Sequence, residues 1–343
     1  MLKNSYYSFF ALVLLFSVFF NSNTAAEKLV LIEDGQSQGC IVLSPSASEV
    51  EHFAASELKE YLQAISGASL PITDKLPENK DTVAIIIGDG EYTRGMDLSG
   101  QRLGKDGFVI KRDGSSLYLV GRVPRGTLYS VYTLLEELGC RFLAPGFGFY
   151  EGQHEVFPTE RTVSVGDLNI VEKPAFDIRM DHALHIGRGR AGEPDDLATI
   201  LDWMAKNRLN TVQTSITFAL DEEFEYSRRA LRKRGLLYAS GSHDDWRQLL
   251  SIDEYGDKHP EWFARTEDGI FIGDPGSGVR RGSRGAICSS NEEAVNLLAE
   301  RYVEMLKRRP FIDIVLPFQP DGQWYCQCSE CQKLERSEDV SQE

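Results

Sequence analysis

Hydrophobic residues recur at helical spacing in two stretches of the first half of the chain. Ser46 and Glu49 match a capping box, and an apolar face then continues until Gly67, which predicts a first helix. That face carries Val50, Phe53, Ala54, Leu58, Tyr61, Leu62 and Ile65. A second helix is predicted over residues 126–138, before Gly139. Short β-rich runs predict strands at 29–32, 41–43 and 83–87, and a hairpin of 108–111 with 117–120 around Asp113-Gly114. The first half is therefore predicted to be an α/β domain.

After residues 172–174 the pattern changes to strands that alternate with helices, which indicates parallel strands joined by crossover helices. The predicted strands cover 176–183, 211–216, 236–240 and 312–317. The predicted helices begin at Pro194, cover 222–234, and begin at a capping box of Ser290 with Glu293. A long loop, 241–286, lies between the third strand and the last helix, and loops of that length are usually functional or disordered.

Four strand-helix units in this order are half of an eight-stranded parallel barrel, which typically takes about 250 residues. We therefore predict an α/β protein with an N-terminal α/β accessory domain over 27–170 and a partial (β/α)8 TIM-type barrel over 171–343. Because the last residues, 334–343, are polar and offer no closing element, we expect the chain to be truncated. A four-unit open sheet is the alternative.

The first 26 residues have the pattern of a secretory signal peptide. Lys3 precedes an apolar run over 9–20, and small residues follow up to Ala26. The run is shorter than the roughly 20 residues of a membrane span, so an uncleaved anchor is the weaker alternative. We expect cleavage after Ala26, no stable membrane span afterwards, and a periplasmic or secreted protein in which disulfides are possible.

The composition adds one exclusion to these predictions, because it makes nucleic acid an unexpected partner. The chain has 343 residues, of which 42% are hydrophobic and 26% charged, a profile typical of a folded globular protein. The 52 acidic residues outnumber 37 basic ones and give a net charge of −15, so phosphate backbones would be repelled. Nucleic acid is therefore not an expected partner, and the composition gives no prediction of the oligomeric state.

Two sets of motifs resemble known families. The segment GFVIKRDGSSLYLVGRVPRGTLYSVYTLLEELGCRFLAPG, residues 107–146, resembles the domain that precedes the catalytic barrel in family 67 α-glucuronidases and the similar domain of β-hexosaminidases. Four later segments resemble the domain of unknown function numbered 4838 of bacterial secreted proteins: GSHDDW from Gly241, HPEWFA from His259, ICSSNEEA from Ile287 and PDGQWYCQCSEC from Pro320. The resemblance implies a carbohydrate-active protein with a barrel related to glycoside hydrolases, but it supplies no proven reaction.

Polar side chains follow each predicted barrel strand, at the end where parallel barrels hold their active sites. The candidates for binding substrate are His182, His185, Gln213, Asp244, Gln319, Trp324 and Tyr325. The candidates for catalysis are Asp321 and His243. The expected partner is therefore a carbohydrate substrate.

Asp321 is the favoured acid of a glycoside hydrolase pair, because it follows the fourth strand and its neighbours Trp324 and Tyr325 are able to stack on a sugar ring. A turn made by Pro320-Asp321-Gly322 is the alternative interpretation. The adjacent acidic pair of hexosaminidases is absent, and the second carboxylate would come from later strands. His243 would hydrogen-bond a hydroxyl or move a proton, although an ordinary loop histidine explains it equally well. For Trp262 we favour packing over sugar stacking.

Cys326, Cys328 and Cys331 form a strongly non-random run, and if Cys288 folds nearby, the four cysteines would form either a closed structural zinc site or two disulfides. An exported location favours disulfides somewhat. Neither arrangement is catalytic, because a closed zinc site has no open position, and no cofactor is expected to be required for catalysis. The leading hypothesis is an exported glycoside hydrolase acting on O-glycosyl bonds. A non-catalytic glycan-binding or envelope protein is the alternative.

Overall fold

A computed structural model describes residues 28–147, 151–182, 194–215, 222, 225–241, 243, 245–272, 286–318 and 325–335. The predicted signal peptide lies outside these residues. The described strands of the first lobe are β1 (Leu29–Glu33), β2 (Gln36–Ser37), β3 (Gly39–Leu43), β4 (Ile72–Thr73), β5 (Val83–Ile87), β6 (Phe108–Asp113), β7 (Ser116–Gly121), β8 (Arg141–Phe142), β9 (Glu155–Val156), β10 (Val163–Val165) and β11 (Asn169–Glu172). Its helices are α1 (Glu49–Ser66), α2 (Gly100–Leu103) and α3 (Pro124–Glu137), with a 3-10 turn at Glu91–Thr93.

The first lobe is built on a six-stranded mixed sheet in the order β11-β6-β7-β5-β3-β4. Strands β4, β3, β5 and β7 run parallel, while β6 and β7 form the predicted antiparallel hairpin. The apolar faces of α1 and α3 pack against each other and cover the sheet. Since β11 pairs with β6 along its whole length, the sheet extends to Glu172, two residues beyond the predicted domain boundary.

The end of the hairpin meets the start of α3 at Gly121. A Cβ atom there would lie 2.1 Å from the backbone nitrogen of Thr127, so only glycine fits. Thr127 Oγ1 accepts a hydrogen bond from the Gly121 amide at 3.0 Å, and Pro124 opens the helix with no amide proton to satisfy. This contact explains the glycine that ends the hairpin in the sequence motif.

Both predicted capping boxes are wrong in position. Helix α1 is capped by Ser48, whose side chain accepts from the Glu51 amide at 3.3 Å while Glu51 Oε2 accepts from the Ser48 amide at 2.8 Å. Two Ser-x-x-Glu matches overlap here, and Ser46 instead pairs with Ser44. The last long helix is capped by Asn291, whose Oδ1 accepts from the Ala294 amide at 3.0 Å, rather than by Ser290. Spacing alone does not decide which residue takes the extended cap conformation.

The second lobe has a four-stranded parallel sheet whose strands lie side by side in chain order, β12-β13-β14-β15. The strands are β12 (Met180–His182), β13 (Thr211–Thr214), β14 (Leu237–Ser240) and β15 (Ile314–Val315). The helices are α4 (Pro194–Lys206), α5 (Glu225–Lys233), α6 (Asp245–Leu249), α7 (Ile252–Tyr255), α8 (Glu292–Arg308) and α9 (Ser329–Glu335). Helices α4, α5 and α8 lie between successive strands of the sheet in the chain, as the alternating pattern predicts. Among the described residues, no helix combines the length and apolar character that a membrane crossing needs.

The first strand of this sheet begins later than predicted. Phe176 is 72% exposed, and β12 begins only at Met180. The backbone carbonyls that precede β12 accept hydrogen bonds from side chains. Arg179 Nη1 donates to Phe176 O and Asn210 Nδ2 donates to Asp177 O, both at 2.8 Å. The hydrogen-bonded pairing of β12 with β13 therefore does not extend back to residue 176.

The long predicted loop is partly structured. Helices α6 and α7 and a 3-10 turn at Pro260–Trp262 lie within it, and Phe263 forms an isolated antiparallel bridge with Ile287. These segments bury a satellite core of their own, separate from the main core and containing Trp262 and Phe263. The prediction of a loop is therefore wrong at α6, α7 and the 3-10 turn, while residues 273–285 lie outside the described part of the chain.

A buried carboxylate, Asp106, joins the two lobes. Its side chain is fully buried and accepts from Arg125 Nε at 3.1 Å, Arg179 Nη2 at 2.9 Å and Asn210 Nδ2 at 2.9 Å. Burial opposes the charged form, but the hydrogen bonds from Arg179 and Asn210 and the charges of both arginines outweigh it and lower the pKa of Asp106. The Arg125 guanidinium also donates to the carbonyl of Gly235 in the second lobe.

Lys206, at the end of α4, forms a second buried link. Its ammonium lies 2.6 Å from Glu155 of the first lobe and 2.6 Å from Asp202 on its own helix. Burial opposes its charge, yet the neighbouring carboxylates outweigh burial and raise the pKa of Lys206. Apolar residues of both lobes belong to one hydrophobic cluster, so the lobes share a core.

Candidate functional site

The carboxyl ends of the four parallel strands lie along one edge of the second sheet. His182 ends β12 and is the register partner of Gln213, and Thr214 ends β13 opposite Ser240 of β14. Ser240 in turn pairs with Val315. The Ser240 hydroxyl is buried and has no hydrogen-bond partner among the described residues. Of the predicted site residues, Gln213 and the backbone of His182 lie at this edge.

Gln213 supports the backbone at this edge. The side chain is 2% exposed, and its Nε2 donates to the carbonyl of Gly241 at 3.1 Å. The Gly241 amide donates to Thr214 O at 3.0 Å. A Cβ atom on Gly241 would lie 2.2 Å from Leu316 O, so the chain passes close to the end of β15 there. Gln213 thus fixes the position of the segment that leads to His243.

His243 lies three residues beyond the end of β14 and is half-buried. Its ring packs beside Phe318 with centroids 5.4 Å apart and planes inclined at 35°. Phe318 directly precedes Gln319 in the chain. This contact joins His243, which follows β14, to Phe318, which follows β15.

Most of the predicted substrate-binding and catalytic residues lie outside the described part of the chain. His185, Asp244, Gln319, Asp321 and Trp324 lie outside the described residues, and of His182 only the backbone is described. Their assignment as site residues remains a prediction. Tyr325 is described and is 49% exposed, next to the buried Cys326.

Trp262 packs as favoured from the sequence. It is 5% exposed in the satellite core, its Nε1 donates to Glu293 Oε2 at 3.2 Å, and the His259 ring stacks on it with centroids 3.8 Å apart. The His259 ring covers one face of the Trp262 indole, so a sugar ring cannot stack on that face.

The four cysteines of the second lobe form one cluster. Their sulfur atoms all lie within 4.8 Å of one another, and the residues concerned are Cys288, Cys326, Cys328 and Cys331. Cys40 and Cys140 are buried in the first lobe, and all six thiols are free. Cys288 contacts the Cys-x-Cys-x-x-Cys run across some 40 residues of sequence. Spacing alone only suggested this contact.

Ser290, which the sequence predicts only as a helix cap, lies beside the cysteine cluster. Its hydroxyl oxygen lies 3.2 Å from Cys288 Sγ, 3.3 Å from Cys331 Sγ and 3.6 Å from Cys328 Sγ. The position of Ser290, two residues after Cys288, is the feature of the sequence that indicates its place beside the cluster.

Two cavities in the described structure lie elsewhere. One of about 540 Å³ is bordered by Tyr92, Lys111 and Tyr118 of the first lobe. Another of about 620 Å³ lies beside α4 and α5 and is bordered by Asp202 and Lys233. Neither is lined by the strand-end residues of the second sheet.

Comparison with family models defines the class of this protein. Residues 33–134 match the glycosyl hydrolase family 67 N-terminus, so the first lobe is of the type that the sequence motif indicated. Residues 149–341 match the domain of unknown function DUF4838, and the chain belongs to that family. The domain order predicted from the sequence is confirmed. A search of the curated proteins finds no match.

Two solved structures are similar to this chain at low identity. The GH20 exo-β-N-acetylglucosaminidase from Vibrio harveyi, in complex with N-acetylglucosamine, is 14% identical with a TM-score of 0.50 and matches 90% of this chain and 47% of its own. A β-hexosaminidase from Streptomyces plicatus, in complex with its product, is 14% identical with a TM-score of 0.48 and matches 83% of this chain and 55% of its own. This chain therefore spans about half the length of these structures, and at 14% identity the likeness to the Vibrio harveyi protein is one of fold.

Proposed function

We propose that this protein is an exported glycoside hydrolase that acts on O-glycosyl bonds of an oligosaccharide or polysaccharide. Its second lobe would supply the first four units of a (β/α)8 barrel. The observation that carries this proposal is the second sheet, which follows a lobe of the glycosyl hydrolase family 67 N-terminal type: it has four parallel strands in chain order, and the first three end in the polar residues His182, Thr214 and Ser240.

Strand order favours a barrel over an open sheet. In the doubly wound open folds the strand order reverses at a switch point, which is where their ligands bind. In a barrel each strand pairs with its neighbours in sequence. The order β12-β13-β14-β15 has no reversal, and all three pairings are parallel.

The proposed roles follow from position and chemistry. Asp321 would protonate the leaving glycosidic oxygen, and His243 would hydrogen-bond the sugar or relay a proton. Trp324 and Tyr325 would stack on a sugar ring, which the 49% exposure of Tyr325 supports. The remaining polar candidates, assigned to hydroxyl binding, are His182, His185, Gln213, Asp244 and Gln319.

Glycoside hydrolysis needs one carboxylic acid to protonate the leaving oxygen and one carboxylate to activate water or attack the sugar carbon, so the proposed reaction requires no cofactor. The N-acetylglucosamine bound by the Vibrio harveyi protein supports carbohydrate as the class of ligand. Residues 1–26 support export, because they have the three-part pattern of a signal peptide.

The test is hydrolysis by the full-length protein of a panel of aryl glycosides, including N-acetylglucosaminides, and of oligosaccharides that carry uronic acids. Replacing Asp321→Asn removes the acid with little change in volume and should lower kcat by roughly 10²–10⁴-fold. Asp113→Asn is the matched control, since Asp113 is 70% exposed in the first-lobe hairpin, and it should keep full activity.

Equal activity of Asp321→Asn and the control would refute the role of Asp321. Saturable sugar binding by calorimetry without turnover on any member of the panel would instead identify a non-catalytic glycan-binding protein.

A further inference from the structure

We propose that Cys288, Cys326, Cys328 and Cys331 bind one Zn²⁺ ion in a closed tetrahedral site with a structural role. Four sulfur ligands with no open position are typical of structural zinc centres. The inference rests on these side chains alone and does not depend on the proposed hydrolase activity.

The sulfur positions fit a common centre. Cys288 Sγ lies 3.6 Å from Cys326 Sγ, 3.7 Å from Cys331 Sγ and 3.8 Å from Cys328 Sγ. Zinc–sulfur bonds of about 2.3 Å in a regular tetrahedron put neighbouring sulfurs about 3.8 Å apart. A disulfide would need a sulfur–sulfur distance of about 2.05 Å, within separate pairs. One thiol at nearly equal distance from three others is the arrangement of a shared ion.

Backbone amides point at the sulfur atoms, as they do around metal-bound thiolates. The Arg265 amide donates to Cys326 Sγ at 3.4 Å, and the Cys331 amide donates to Cys328 Sγ at 3.5 Å. Such outer hydrogen bonds orient ligands and stabilise their negative charge. The Ser290 hydroxyl, within 3.6 Å of three sulfurs, adds a further donor beside the cluster.

The cluster also joins segments that are distant in the chain. The satellite core contains buried residues of segments 250–272, 286–298 and 326–331. Cores of this size usually need a metal or disulfides for stability. One ion would join the start of α8 to α9, through Cys288 on one side and Cys331 on the other. It would also fix Cys326, which follows Asp321 by five residues.

The first measurement is the zinc and thiol content of the full-length protein, purified after export and without chelator. Elemental analysis should give one zinc per chain, and denaturation in the presence of a thiol reagent should release six thiols. In Cys328→Ser, zinc affinity measured by competition with a chromophoric chelator should fall by more than about 100-fold. Cys40→Ala, a buried cysteine of the first lobe, is the control and should keep its zinc.

Because Cys328→Ser could fail to fold, the wild-type site is examined directly as well. X-ray absorption at the zinc edge should find four sulfur ligands at about 2.3 Å, and Co²⁺ exchanged into the site should have the absorption spectrum of a tetrahedral tetrathiolate. Zinc-free protein with two disulfides among these four cysteines, or zinc bound mainly by nitrogen and oxygen, would overturn the proposal.

Discussion

Asp106 illustrates how a single residue connects the two lobes. Its carboxylate is fully buried between Arg125 of the first lobe and Arg179 of the second, which are 13% and 18% exposed. We expect Asp106→Asn to lower the free energy of unfolding by about 3–5 kcal/mol, because it leaves two largely buried guanidinium groups without their counter-charge. Urea unfolding measures this loss. The exposed control Asp113→Asn should change the free energy by less than about 0.5 kcal/mol, and an equal effect of both substitutions would refute the network.

The same residue predicts a pH dependence. The pKa of Asp106 is lowered in the folded protein relative to about 3.9 in the unfolded chain, so its contribution is fully present above the unfolded value and is lost as the pH falls through the folded value. The difference in stability between wild type and Asp106→Asn should therefore be largest near neutral pH and shrink below about pH 4. A difference that stays constant down to pH 3 would contradict the lowered pKa.

At the scale of elements, the contact between β14 and β15 depends on Gly241. A Cβ atom there would lie 2.2 Å from Leu316 O, so the two strand ends must separate to admit it. We expect Gly241→Ala to lower the free energy of unfolding by about 1–3 kcal/mol and to displace His243 from Phe318. Gly166→Ala is the control, since its Cβ would meet no atom within 4 Å. Chemical denaturation of both variants tests the expectation, and identical midpoints would exclude this close approach.

Elements with a strong local signal could be predicted from the sequence. The strand at Val83–Ile87, the hairpin and the long amphipathic helices are confirmed, because period and turn chemistry are encoded within a few residues. The caps of α1 and α8 were wrong by one or two positions, since overlapping polar residues offer several hydrogen-bonding choices and packing selects one.

Long-range polar contacts could not be predicted. Asp106-Gly107 has the local pattern of a turn, and nothing near it in sequence indicates Arg179 or Asn210, 73 and 104 residues away. Gln213 was predicted from its strand-end position, but its bond to Gly241 O depends on the register between two strands. The spacing of Cys326, Cys328 and Cys331 is a local signal, whereas the contact of Cys288 and Ser290 with that run depends on the fold.

At the scale of the whole molecule, the hydrophobic cores do not follow the domain boundary. One cluster includes residues of both lobes, from Leu29 to Ile312, while the satellite core gathers residues between Leu250 and Cys331. The main core has extensive burial and the Asp106 and Lys206 ion pairs to stabilise it. The satellite core is small and contains three of the four clustered cysteines, so its stability should depend on the proposed zinc ion.

Removing zinc should therefore loosen one part of the molecule and leave the other intact. After treatment with a zinc chelator, hydrogen exchange should accelerate in the described segments 245–272, 286–298 and 325–335. Amides of β3, β5 and β7 should keep their protection, because these strands belong to the main core whereas the clustered cysteines belong to or pack against the satellite core. Adding zinc back should restore the slow exchange, which separates loss of the ion from irreversible damage. Acceleration spread evenly over both lobes, or none at all, would contradict a local structural role for the ion.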